Sequence, residues 1–143
     1  MTVKQISVFL ENRPGSLLEF TRLLKDRDIN MRALCLAEVA EYGVIRVIVD
    51  DTYELMNLLK NEGYVFQATP VLAVTIEDKP GALVNILEAL EASDINVEYA
   101  YAFTAQKVGE AYIIIRVADP EKASKVLNFA GIPLLSSEDI ASL

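Results

Sequence analysis

The sequence predicts an α+β protein built from one β-α-β-β-α-β unit written twice. Three observations carry that expectation. "SVFLENRPGSLLEFTRLLKDRDINM" at 7–31 lies over "AVTIEDKPGALVNILEALEASDINV" at 73–97, an offset of 66 that matches Pro14-Gly15 to Pro80-Gly81 and Asp28-Ile29-Asn30 to Asp94-Ile95-Asn96. Past a turn two residues longer in the second copy, an offset of 68 aligns Asp51 with Asp119 and Gly63 with Gly131. Within each copy the apolar period switches between strand-like and helix-like spacing in the same order, and such self-similarity marks a repeated structural unit. The boundary is expected near residues 69–70, giving domains 1–69 and 70–143.

Each element follows from its pattern. Ile6, Val8 and Leu10 alternate with Gln5, Ser7 and Phe9, and Leu72, Val74 and Ile76 repeat the alternation, which is the period of a strand. After Pro-Gly, Leu17, Phe20 and Leu24, matched by Leu83, Ile86 and Leu90, predict a helix with one buried stripe. Asp28 or Asp94 closes that helix, and "INMRALCLAEV" or "INVEYAYAFTA" reads as a long second strand. Turns at 40–43 and 105–110 lead into the third strand, "VIRVIVD" or "YIIIRVAD". Its residues Ile45, Val47 and Val49, like Ile113, Ile115 and Val117, belong under the helices. Arg46 and Ile48, or Ile114 and Arg116, take the other face, a mixture better suited to packing than to full exposure.

Asp51 and Asp119 are N-cap residues for a second helix, and Pro120 suits its first position. Leu55, Leu58 and Leu59, or Ala123, Val126 and Leu127, face the core, and Gly63 or Gly131 ends the helix before a short fourth strand. This is the ferredoxin-like split βαβ arrangement, an antiparallel sheet with helices on one face. "GYVFQATPVLAVTIE" leaves almost no linker, so the copies are expected to join side by side.

Composition narrows the function. A net charge of −8 opposes binding to a phosphate backbone, so neither nucleic acid nor a bare anionic membrane surface is an expected partner. The chain has no histidine and a single cysteine, Cys35, which removes the usual zinc ligands and any intramolecular disulfide. No apolar run approaches the ~18–20 residues of a membrane span. The start "MTVKQISVFLENR" lacks the layout of a signal peptide, so a cytoplasmic location is expected. No nucleophile–base pair stands at a recognisable spacing, and Glu77-Asp78 or Glu138-Asp139 are merely sequence neighbours. The expectation is a protein that is not an enzyme and needs neither metal nor cofactor.

"ENRPGSLLEFTRLLKDRDIN" and "EDKPGALVNILEALEASDIN" resemble the opening of ACT domains, small amino-acid-binding modules, and the resemblance extends to small proteins made of two tandem ACT domains. ACT domains commonly pair side by side into an eight-stranded sheet, with effector amino acids between paired domains. The resemblance implies that Asn12 and Asn30, and in the second copy Asp78 and Asn96, contact the ligand. Their neighbours Arg13, Pro14, Gly15, Ser16, Leu17 and Met31, with Pro80, Gly81, Ala82 and Val97, complete the implied ligand-binding set. Gly15 and Gly81 would let the backbone approach the ligand. Some serine-sensing relatives carry a polar residue two positions before the Asn, where this chain has Leu10 or Ile76, which argues against serine-like recognition.

The chemistry of the turn agrees with such a site. A loop entering a helix N-terminus offers free N–H groups and a favourable dipole to a carboxylate. Asn12 both donates and accepts, whereas an ionised Asp78 only accepts, so copy one suits a whole amino acid better. Structural readings stand beside this one. Pro-Gly serves plain turns, Asn30 and Asn96 can simply start a strand, and Arg13 and Lys79 can point to solvent. Cys35 fits a small core residue, Tyr99, Tyr101 and Phe103 fit a core or interface stripe, and Ser136-Ser137-Glu138-Asp139 reads as a capped or frayed tail. The function expected is a non-catalytic regulatory or sensor protein, a homodimer, binding a free amino acid and acting in trans on a metabolic enzyme or transporter. The alternative is a scaffold that assembles through its sheets without a ligand.

Overall fold

In a computed structural model, which describes residues 1–103 and 105–143, the chain divides into two compact units. The N-terminal unit is Lys4–Thr69, and the C-terminal unit is Pro70–Leu143 together with Met1–Val3.

The N-terminal unit is built from β1 (Val3–Glu11), α1 (Ser16–Asp26), β2 (Met31–Val39), β3 (Tyr42–Val49), α2 (Thr52–Asn61) and the first residues of β4 (Phe66–Glu77). β1 and β2 both pair antiparallel with β3, Val8 and Leu36 each lying opposite Ile45, and the order is β2-β3-β1-β4. Alternation along β1 sends Ile6, Val8 and Leu10 under the helices, where they meet Phe20, Leu24, Ile45, Val47, Val49, Leu55 and Leu59. On the other face Gln5 and Ile48 are buried as well.

The buried stripe of α1 differs from the sequence expectation. It is Ser16, Phe20 and Leu24, while Leu17 is 38% exposed. In the C-terminal unit the stripe is Ala82, Ile86 and Leu90, with Leu83 equally exposed. Both spacings share the last two residues, and the i, i+4 ridge is the one laid on the sheet. A small residue fits beneath the first turn, so the leucine one step on is turned outwards.

The C-terminal unit continues β4 into α3 (Ala82–Glu91), β5 (Val97–Phe103), β6 (Glu110–Val117), α4 (Pro120–Phe129) and α5 (Ser137–Ala141). Antiparallel pairing gives the order β4-β6-β5 over a core that includes Leu72, Val74, Ile86, Leu90, Ile115, Val117 and Leu127. The expected fourth strand shrinks to one bridge, Leu134 against Val74, flanked by Thr75 N–H to Pro133 O at 3.1 Å and Leu135 N–H to Ala73 O at 2.8 Å. Pro133 has no N–H to extend the ladder. The tail is not frayed. Ser136 and Asp139 form a capping box, Asp139 N–H to Ser136 Oγ at 3.0 Å and Ser136 N–H to Asp139 Oδ2 at 2.7 Å, and Ile140 docks α5 into the core.

Capping explains the other helix boundaries. Asp51 accepts from Glu54 N–H at 2.9 Å and Asp119 from Lys122 N–H at 3.1 Å. Asp28 and Asp94, at φ 55° and 56°, take the left-handed position that ends α1 and α3, and Ile29 and Ile95 N–H reach back to Leu24 and Leu90 carbonyls. No helix among the described residues is long and apolar enough to cross a membrane.

Candidate functional site

The β1–α1 turn is held from two sides. Asn12 N–H donates to Glu41 O at 3.0 Å and Asn12 Nδ2 to Ala40 O at 3.3 Å, pinning the turn to the β2–β3 connection and leaving Oδ1 as the free end of the amide. Arg13 Nε bonds Glu11 Oε2 at 2.7 Å and its Nη2 reaches Glu19 Oε2 at 3.4 Å, and these carboxylates push the guanidinium pKa further up. Gly15 then caps α1 in the left-handed region, at φ 91° and ψ −16°, with no side chain on the first-turn N–H groups. A helix start left uncapped by side chains presents positive dipole and unused donors.

Clefts open on each side of this turn. The smaller, about 100 Å³, lies towards β2 and β3, and Asn12, Arg13, Ser16 and Leu17 meet Leu36, Ala37, Glu38 and Gly43 there. The larger, about 340 Å³, lies towards the α2–β4 loop and brings Phe9, Leu10, Glu11, Arg13, Ser16 and Glu19 against Glu62, Gly63, Tyr64 and Val65.

The C-terminal unit repeats the turn with changed chemistry. Gly81 caps α3 at φ 86°, again without a side-chain cap, and Lys79 pairs with Glu77. Asp78 N–H donates to Gly109 O at 2.9 Å, the counterpart of the Asn12 tether. A cleft of about 250 Å³ corresponds to the larger one of the N-terminal unit and is lined by Thr75, Ile76, Glu77, Lys79, Ala82, Asn85, Ile86, Gly131, Ile132 and Pro133; Ile86 joins it where Phe20 does not, and Ala130 does not take the place of Glu62.

The sequence-derived residues thus fall into two groups within each unit. Asn12, Arg13, Ser16 and Leu17 come together at one cleft, with Pro14 and Gly15 forming the turn itself; Asp78, Pro80, Gly81 and Ala82 are their counterparts. Asn30 and Met31, like Asn96 and Val97, sit past the other end of the helix and line none of these clefts. An 11-residue α1 separates the two groups by about 16 Å at 1.5 Å per residue. Beside Met31, a bulge in β2 places Arg32 on Asp50, Nε–Oδ1 2.9 Å and Nη2–Oδ2 2.8 Å, and this bonding holds the Asp50 carboxyl below the usual range. The matching bulge in β5 places Glu98, the counterpart of Arg32, on Arg116 Nε at 3.3 Å, a partner at the position of Ile48 and not of Asp50.

Glu19, Glu62 and Tyr64 were not among the residues singled out from the sequence. Comparison across the repeat contains the signal, because Ser16, Glu19, Glu62 and Tyr64 become Ala82, Asn85, Ala130 and Ile132. No group of three or more His, Cys, Asp or Glu among the described residues is arranged to hold a metal ion.

Residues 1–143 match the family described as "ACT domain pair". The crystal structure of protein BT0572 from Bacteroides thetaiotaomicron is 36% identical, over 100% of this chain and 98% of its own, with a TM-score of 0.93. The regulatory subunit of aspartate kinase from Thermus thermophilus, in a ligand-free form, is 18% identical over 89% of this chain and 91% of its own, with a TM-score of 0.65. Its counterpart from Thermus flavus gives 17%, 90%, 92% and 0.62. At these identities the two subunits share the fold. No curated protein matches the chain.

Proposed function

The chain belongs to the ACT domain pair family, and from that premise we propose that it is a non-catalytic regulatory protein that senses a free amino acid. It binds the amino acid where ACT domains pair, works as a homodimer and acts in trans on a metabolic enzyme or transporter. The observation that supports this most is the β1–α1 turn: a left-handed glycine, an uncapped helix start and a tethered Asn12 beside a cleft. The ligand carboxylate takes the first-turn N–H groups of α1, approached past Gly15 and Ser16. Its ammonium takes Asn12 Oδ1, because Asn12 Nδ2 already serves the Ala40 carbonyl. Leu17 supplies apolar contact, and Asn30 and Met31 complete the site only from a paired domain, being about a helix length away in their own unit. In the second copy Asp78 and Asn96 play these parts, with Asp78 favouring the ammonium and repelling the carboxylate.

Thermal denaturation with each amino acid in turn tests the reading. A ligand at 100-fold its dissociation constant stabilises by about 2.7 kcal/mol. Asn12→Ala should remove most of that shift and Asp78→Ala much less. A flat response to all amino acids sinks the sensor reading and favours a scaffold. For that alternative speak Leu34, Leu36 and Val39, roughly half exposed on the edge strand β2.

A further inference from the structure

Each unit leaves one sheet edge open beside an exposed apolar helix flank, and the two edges differ in charge and in side-chain size. We propose that unlike edges pair between protomers: the β2–α1 edge of one protomer docks on the β5–α3 edge of its partner. This rests on the homodimer reading above and deepens it by naming the surfaces that meet.

Both surfaces are unfinished. β2 pairs only with β3, and β5 only with β6. Leu34 and Leu36 lie opposite Val47 and Ile45, and Ala100 and Ala102 lie opposite Ile115 and Ile113, so all four stand on the helix-covered face. All four are nevertheless exposed. The helix flanks continue the same surface: Leu17 shares a cleft with Leu36, and Leu83, Val84 and Leu87 are 38%, 50% and 40% exposed on α3. An open edge strand with apolar residues beside it is a template for another chain.

Charge selects the occupant. Arg22, Lys25 and Arg32 of the N-terminal unit become Glu88, Glu91 and Glu98 in the C-terminal unit. Residues 22–32 hold four bases and two acids, and the equivalent 88–98 hold four acids and no base. Glu38, the one further charge on β2, leaves that edge net positive. Arg32 and Glu98 are engaged in their own units by Asp50 and Arg116. Arg22 and Lys25 on one edge, and Glu88 and Glu91 on the other, are exposed and face outwards to a partner. Pairing like edges sets these charges against their own kind, whereas the unlike pairing sets bases against acids. Size agrees with charge. Leucines at 34 and 36 meet alanines at 100 and 102, and Leu87 of α3 meets the flank where α1 has Thr21.

The exposed flanks cover one another only if both helix layers lie on the same side of the joined sheet. Turning one edge towards the other about the sheet normal satisfies that, and it makes β2 and β5 antiparallel. The end of β2 then lies opposite the start of the partner's β5. Asn12 donates to the Ala40 carbonyl just past the end of β2, so the partner's Asn96 comes to the Asn12 turn. Asn30 comes in the same way to the partner's Asp78. The better amino-acid site is therefore completed by Asn96 of the partner subunit.

Sedimentation equilibrium of the full chain, at low salt and without amino acid, tests the pairing. The unmodified chain should form a dimer. Arg22→Glu with Lys25→Glu makes both edges acidic, and Glu88→Lys with Glu91→Lys makes both basic; each double variant should raise the dissociation constant about tenfold. All four exchanges together keep the net charge and should restore the constant to within about threefold. A monomeric unmodified chain would overturn the proposal together with the homodimer reading. A dimer that ignores the double exchanges, or that the fourfold exchange fails to restore, would overturn the proposal alone. A failed response to amino acids has no bearing on this measurement. In the thermal assay, Asn96→Ala should remove more of the ligand-induced shift than Asn30→Ala, and the reverse order would overturn the unlike pairing.

Discussion

Gly15→Ala, with Gly81→Ala as its twin, isolates what the repeated turn demands of the backbone. Gly15 sits at φ 91° and Gly81 at φ 86°, where an L side chain costs about 1–2 kcal/mol. Space adds nothing to that cost. A Cβ on Gly15 would meet only Arg13 Nη1, at 3.9 Å, and one on Gly81 would meet nothing within 4 Å. Alanine also lowers the entropy of the unfolded chain, which offsets about 0.4–1 kcal/mol. The net loss expected in each variant is therefore about 1 kcal/mol, and it should be equal in the two. Urea denaturation followed by circular dichroism at 222 nm measures it, with the midpoint falling and the slope unchanged. A loss above about 3 kcal/mol in either variant would show that the strain argument omits a contact. A loss in one and none in the other would refute the equivalence of the turns. The functional half of the test is asymmetric: Gly15→Ala should also weaken stabilisation by the amino acid, because its methyl stands where the ligand carboxylate approaches, and Gly81→Ala should do so much less.

Two further outcomes are open to measurement. Asp51→Ala and Asp119→Ala each remove the single side-chain cap of α2 or α4, and each should cost about 1 kcal/mol in the same urea assay; a change below about 0.2 kcal/mol in both would mean that the caps do not hold these helices. The Asp50 carboxyl, depressed by its hydrogen bonds to Arg32, contributes stability that is complete above the unfolded carboxyl pKa of about 3.9 and is lost as pH falls through its lower folded value. An NMR titration should place Asp50 below the ordinary range and Arg32→Gln should bring it back up; an unmoved Asp50 would break the assignment.

Much of this molecule is legible from local chemistry. The offset of 66 between Pro14 and Pro80, the alternation of Ile6, Val8 and Leu10, and the caps Asp51 and Asp119 all act through neighbours in the chain, so their pattern survives without the fold. The same holds for Asp28 and Asp94, whose left-handed angles follow from ending a helix just before a strand. Residue period also identifies the helix-facing side of β3, because a strand has only two faces.

Where an element meets another, pattern alone is ambiguous. Leu17 and Ser16 both fit a stripe containing Phe20 and Leu24, and only packing on the sheet decides that the small residue goes beneath and the leucine turns out. The segment after Gly131 reads as a short strand until the ladder needs the N–H that Pro133 lacks, and Ser136–Asp139 reads as tail until Ile140 finds the core. The site divides in the same way. Asn12, Arg13, Gly15 and Ser16 are adjacent in sequence and therefore adjacent in space. Glu62 and Tyr64 reach that turn only because β4 lies beside β1, a neighbour relation between strands far apart in the chain. Sequence by itself determined the repeat, the elements and the turn, which are local matters of hydrogen bonding and backbone angle. Tertiary structure alone decided which face of each helix is buried and which distant side chains share a cleft, because those depend on how whole elements exclude water from one another.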